Sequence, residues 1–174
     1  VLSSMRRTFV IFLTLLLLWT LVAELNHALT PLRVYLFVPG LFVVYAAFML
    51  PWNVGVSASL LGGLLCDATT PVWFGTHLLL FAGAHAVLFH LRNRLPREDT
   101  ATRVLATLLA NLAIFLLFSF IQIGASPVPA AAWIRLIADL VCSQIFLALL
   151  APWFFSLQTR ALVLTHAGLR DNLA

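Results

Sequence analysis

The sequence contains no lysine. All ten basic residues are arginine, six residues are acidic, and charged residues make up 9% of the 174 positions. Water-soluble domains carry about 25% charged residues, so this chain lacks the polar surface to coat a globule. Its two cysteines, Cys66 and Cys142, lie within or beside apolar runs and supply neither a disulfide framework nor metal-ligand spacing. No G-x-S-x-G, H-E-x-x-H or phosphate-binding glycine loop is present. Catalysis, a bound metal and a cofactor are therefore not expected. What abounds is apolar: 63% of residues are hydrophobic, and the mean hydropathy is +1.06. The natural solvent for such a chain is a bilayer.

About 20 apolar residues cross a hydrocarbon core, and six runs approach that length. They cover residues 9–23, 32–50 (interrupted by Pro39-Gly40), 52–70, 72–91, 104–123 and 133–155. Lipid offers the backbone no hydrogen bonds, and the strict alternation of a barrel strand is missing, so each run is expected to be helical. The expectation is an all-α integral membrane protein: one polytopic domain over 1–174, six transmembrane helices, and a short cytoplasmic tail at 156–174. Chain start is expected at Val1, through a non-Met codon, or at Met5; a cleaved leader is disfavoured because "LVAELN" is a poor cleavage site.

Net charge +4 and a pI near 10.0 give a topology signal here rather than a nucleic-acid footprint. With six spans and both termini inside, Arg6, Arg7, Arg92, Arg94, Arg97, Arg103, Arg160 and Arg170 fall on the cytoplasmic side, against Arg33 and Arg135 opposite. That bias obeys the positive-inside rule. A five-span alternative would place the "RNRLPREDTATR" loop on the side opposite Arg6-Arg7.

The third run, "WNVGVSASLLGGLLCDATT", is the least apolar. On a helix Gly55, Ser59, Gly63 and Asp67 recur every four residues, with Ala58 and Gly62 beside them, and small residues let another backbone approach closely. This stripe is a candidate for packing or partner docking. A carboxylate at mid-membrane costs roughly 2.5–3.5 kcal/mol, and less toward the interface. Asp67 is accordingly expected to cap the turn at Pro71 or the head of the next helix, or to pair within the bundle. Arg135 and Asp139 form a ready i,i+4 pair, with Ser143 a turn further in. By depth, Asp67, His77, Arg135 and Asp139 form a candidate polar cluster in the outer half of the membrane. His77 and His85, eight residues apart, point about 80° away from each other on a helix, which is poor geometry for a shared metal. His85 and Asn111 come to similar depth and are candidates for an interhelical hydrogen bond. An intramembrane aspartyl pair of Asp67 with Asp139 is conceivable by depth, but nothing around either residue supplies the setting for that chemistry.

"GLLCD" at Gly63–Asp67, a short turn and Gly75 at the head of a helix resemble the hallmark of the bacterial rod shape-determining protein MreD family. Gly63, Leu64, Leu65, Asp67 and Gly75 match its pattern; Ala68, Thr69-Thr70 and Phe74 depart from it. The motif covers about residues 60–91. The resemblance adds Gly75 to the packing or docking candidates. It implies a fold similar to the six-helix substrate-binding subunits of energy-coupling-factor transporters. It also implies a non-catalytic inner-membrane component of the peptidoglycan elongation machinery. The implied partner is an MreC-like bitopic protein, which links the chain indirectly to MreB-like filaments and a polymerase–transpeptidase pair. The rival reading is a vitamin-binding subunit of such a transporter; against it, the first run is bulky throughout where a small-residue docking motif is expected.

Overall fold

In the computed structural model, which describes residues 2–70, 73–96, 99–123 and 129–165, the chain folds into six α-helices. These are α1 (Leu2–Leu29), α2 (Pro39–Met49), α3 (Trp52–Thr69), α4 (Thr76–Leu91), α5 (Thr100–Ile123) and α6 (Pro129–Leu164), with a single 3₁₀ turn at Thr30–Leu32. No strand occurs among the described residues. The protein is an all-helical membrane protein. Three helical segments, Met5–Leu32, Thr100–Ile121 and Trp133–Leu164, are long and apolar enough to cross a bilayer alone. Around the outside, Leu13, Leu17 and Leu21 of α1, Leu105 and Leu109 of α5, and Ile145 and Leu149 of α6 are exposed, as expected where lipid replaces water.

Successive helices alternate in direction. Thr8 on α1 meets Ser57 on α3 at 3.2 Å, Gln158 on α6 reaches Thr14 on α1 at 3.5 Å, and Tyr45 on α2 meets Thr159 on α6 at 3.3 Å. These contacts gather the start of α1, the α2–α3 and α4–α5 connections and the end of α6 at one end of the bundle. Arg6, Arg7, Arg92, Arg94, Arg103 and Arg160 lie there, while Arg33, Asp67 and Arg135 lie at the other. Arg97 and Arg170 lie outside the described residues.

The run at 32–50 is not one helix. Pro39 supplies the first-turn proline of α2, and residues 34–38 before it are non-helical. Proline disfavours helical backbone in the residue before it and is at home in a helix's first turn. Eleven helical residues rise about 16 Å, and five non-helical residues can add up to about 16 Å more. Together they match a hydrocarbon core of about 30 Å. From Pro39 to Phe48 every residue of α2 is buried, so it is the central post of the bundle.

The other boundaries move outward. α1 reaches Leu29 rather than residue 23, because the Pro31 turn and not the end of apolarity stops it. α5 starts at Thr100 and α6 runs 129–164, so the expected tail from residue 156 is helical as far as Leu164, and residues 166–174 lie outside the described set. α4 begins at Thr76 rather than residue 72. Within α6, Pro152 removes one backbone donor from the helix ladder.

Candidate functional site

Asp67 lies at the last turn of α3, buried to 5% exposure, with α4 beginning directly beside it. Its Oδ2 accepts the backbone N–H groups of Gly75 at 2.9 Å and Leu78 at 3.2 Å. Oδ1 accepts the backbone N–H of His77 at 2.9 Å and the ring Nδ1–H of the same residue at 2.9 Å. The first N–H groups of a helix have no partner within it, and the helix dipole favours negative charge there. One carboxylate thus satisfies the head of α4 from a neighbouring helix. Gly75 makes the entry turn possible: its φ of +97° belongs to the left-handed region that glycine enters without steric penalty. Pro71, in the intervening turn, lies outside the described residues.

Gly63 sets the distance. A Cβ there would stand 2.7 Å from the Leu78 Cα and 2.9 Å from its N, so the two helix backbones touch where Asp67 reaches across. Gly55 is similarly pressed against the Ala46 carbonyl and the His85 ring, and Ser59 Oγ meets His85 Nδ1 at 3.0 Å. Gly55, Ser59, Gly63 and Asp67 therefore all face the protein's own interior. Docking a partner through this stripe would require unpacking α3 from α4.

A second polar centre surrounds the non-helical stretch before Pro39. Tyr35 N–H donates to Asp139 Oδ1 at 2.8 Å, Leu36 N–H to Asn26 Oδ1 at 2.7 Å and Phe37 N–H to Ser143 Oγ at 2.8 Å. Asn26 Nδ2 returns a bond to the Leu36 carbonyl at 3.0 Å. Asn111 accepts from Gly40 N–H at 3.1 Å and donates to the Phe37 carbonyl at 3.1 Å. Non-helical backbone survives at membrane depth only where protein encloses it and meets its hydrogen bonds. Side chains from α1, α5 and α6 do that here.

The expected polar cluster divides between these centres. His77 belongs with Asp67, and Asp139 with Tyr35. Arg135 approaches Asp139 Oδ2 only at 3.9 Å with its own side chain 67% exposed, a loose pair of little energetic weight. The expected His85–Asn111 bond does not form: Asn111 is engaged by the non-helical segment, and His85 Nδ1 meets Ser59 while its buried Nε2 has no partner among the described residues. The two do not share a level: Asn111 lies against Gly40 and His85 beside Gly55 near the Ala46 carbonyl, about 9 Å further along α2. Asp67 and Asp139 are held by separate partners rather than by each other. Sequence reasoning missed Asn26; its only signal is a polar side chain near the end of an apolar run, ten residues before Leu36.

Between the centres lies a cavity of about 30 Å³ lined in part by His77, Thr70 and Phe118. It is roomy enough for a water molecule. A neutral His77 that gives its Nδ1–H to Asp67 has Nε2 left as an acceptor. The aliphatic hydroxyl in that wall, Thr70 Oγ1, donates to the Cys66 carbonyl at 2.7 Å, so the pair of His77 and Thr70 does not form a nucleophile–base arrangement. Among the described residues no group of three or more His, Cys, Asp or Glu is placed to hold a metal ion.

At the opposite end, Arg92 Nη1 donates to the Leu50 carbonyl at 2.9 Å, and its guanidinium lies 3.6 Å over the Phe89 ring. A cation thus serves the C-terminal end of α2 as an anion serves the head of α4. Compared with protein-family models, curated proteins and solved structures, the chain matches none.

Proposed function

We propose that this protein is a non-catalytic scaffold of the bacterial inner membrane, acting in the wall-elongation machinery that maintains rod shape and binding an MreC-like bitopic partner. The observation that carries the reading is the clasp between α3 and α4. Gly63, Asp67 and Gly75, the residues of the MreD-like motif, all serve to lock two helices together, and Asp67 has both oxygens engaged by α4. A motif occupied in this way supports a structural role over chemistry. The rival vitamin-binding reading draws less support, since pockets for such ligands measure about 300–1,000 Å³ and the cavity against His77 is about 30 Å³.

Asp67→Asn tests the proposal. The amide keeps one acceptor but turns an NH₂ toward backbone donors, at about 1–3 kcal/mol for a buried polar group left without a partner. Recovery of a co-purified MreC-like partner from membranes should fall severalfold, and rod shape should fail in a complemented deletion strain. An unchanged complex with normal shape would refute it. Tight vitamin binding by the purified protein would favour the rival.

A further inference from the structure

A backbone N–H buried at membrane depth needs an acceptor from the protein or from enclosed water, because lipid supplies none. In the stretch that enters α2 nearly every donor is placed. Tyr35, Leu36 and Phe37 give theirs to Asp139, Asn26 and Ser143, and Gly40 gives its own to Asn111. Pro39 has none to give. Val38 is the exception. It is 1% exposed, and among the described residues its N–H has no acceptor, while its carbonyl takes the Leu41 N–H at 3.2 Å.

Its neighbours indicate where that N–H points. Tyr35 and Phe37 both donate toward α6, and Leu36 between them donates toward α1. The alternation brings Val38 to the side of α1, whose Trp19 shares with Val38 the wall of the cavity of about 30 Å³. His77 and Thr70 belong to the same wall. His77 is 2% exposed, and Nε2 is the ring nitrogen that Asp67 leaves over. Thr70 Oγ1 spends its hydrogen on the Cys66 carbonyl and keeps lone pairs that accept. One donor and two acceptors therefore belong to a space of single-molecule size. A buried water needs roughly 10–15 Å³ and two to four polar partners.

We propose that this cavity binds one structural water, which accepts the Val38 N–H and donates to His77 Nε2 and Thr70 Oγ1. Size and hydrogen-bond type select the ligand. Val38 needs an acceptor and the two side chains need donors, and water supplies both in one molecule. A cation would meet the N–H dipole at its positive end, and an acyl-chain methyl would leave all three groups without a partner. In this position the water joins the clasp of α3 and α4 to the non-helical stretch before α2, so that the two polar centres form one hydrogen-bonded network.

Water–amide cross-relaxation measured by NMR tests this on the full chain, perdeuterated with protonated amides, in nanodiscs of protonated lipid. The Val38 amide should show a nuclear Overhauser effect to water with the sign of a long-lived contact. The Gly40 amide, bonded to Asn111, should show none. His77→Phe should abolish the Val38 effect. Thr70→Val, which leaves every Asp67 bond in place, should weaken it without abolishing it, and keeps the test open if His77→Phe fails to fold. Absence of the effect at Val38, or its survival unchanged in His77→Phe, would overturn the proposal. So would its complete loss in Thr70→Val alone, which would trace the signal to the exchanging Thr70 hydroxyl. A contact from the Val38 amide to lipid acyl protons, or a through-hydrogen-bond coupling from it to a protein carbonyl, would also overturn it.

Discussion

Asp67 and Gly63 act as one device, and its tolerance to change is set by contact with backbone rather than with flexible side chains. Gly63→Ala brings a methyl to 2.7 Å from the Leu78 Cα, so α3 and α4 must part and the Asp67 bonds lengthen. We expect a loss of about 1–3 kcal/mol, typical of overpacking, read as a lower unfolding midpoint in detergent. Gly83→Ala on α4, where an added Cβ meets nothing within 4 Å, should leave the midpoint unchanged or raise it. The cap role of Asp67 was legible because a lone carboxylate precedes the "ATTP" turn. Its choice of His77, Gly75 and Leu78 was not, since that depends on how closely two glycine-lined backbones approach. Asp99 gives a second residue-scale test. Its bonds from the Thr102 N–H and hydroxyl hold its carboxyl below the ordinary carboxylate range. A depressed folded-state pKa stabilises above the unfolded value and is lost as pH falls through the folded one. Protection of the Thr102 amide, its exchange rate taken relative to the intrinsic base-catalysed rate, should thus be flat above about pH 5 and fall below about pH 4. No pH dependence in that window would contradict the cap.

At the scale of elements, the second pass through the bundle is the informative one. A run of apolar residues without a charge reads as a continuous helix, because hydropathy records burial and not backbone angle. Pro39-Gly40 was the visible interruption, but only the partners Asn26, Asn111, Asp139 and Ser143 show what lets the chain stay unwound. They are scattered over three helices, 26 to 143 in the sequence, beyond the reach of local pattern. Ser143→Ala orphans the Phe37 N–H, and Asn111→Ala orphans both Gly40 N–H and the Phe37 carbonyl. Each substitution should cost about 1–3 kcal/mol in unfolding experiments. Ser119→Ala is the matched control: that buried hydroxyl has no partner among the described residues, so its removal should be neutral or stabilising. Equal sensitivity at all three sites would argue against a segment held by specific bonds.

For the whole molecule, arginine placement and helix direction agree. Six alternating helices bring the basic ends together, although only three segments are long and apolar enough to cross unaided. The census of charges made this arrangement legible without any tertiary information. Substituted-cysteine labelling checks its orientation, in a background lacking Cys66 and Cys142. Trp73→Cys, at a position 87% exposed, should react with an impermeant maleimide in intact cells. Arg94→Cys should react only after permeabilisation. The reverse pattern would invert the layout.

The enclosed stretch before Pro39 also constrains how the protein is made. Its hydrogen-bond partners on α5 and α6 emerge from the ribosome long after it does, so this pass cannot settle as an independent span when it is synthesised. The short helix behind it must wait, sheltered by the insertion machinery or left near the interface, until residues 111, 139 and 143 arrive. The bonds that enclose this stretch are therefore expected to close only after the last helix has entered the membrane.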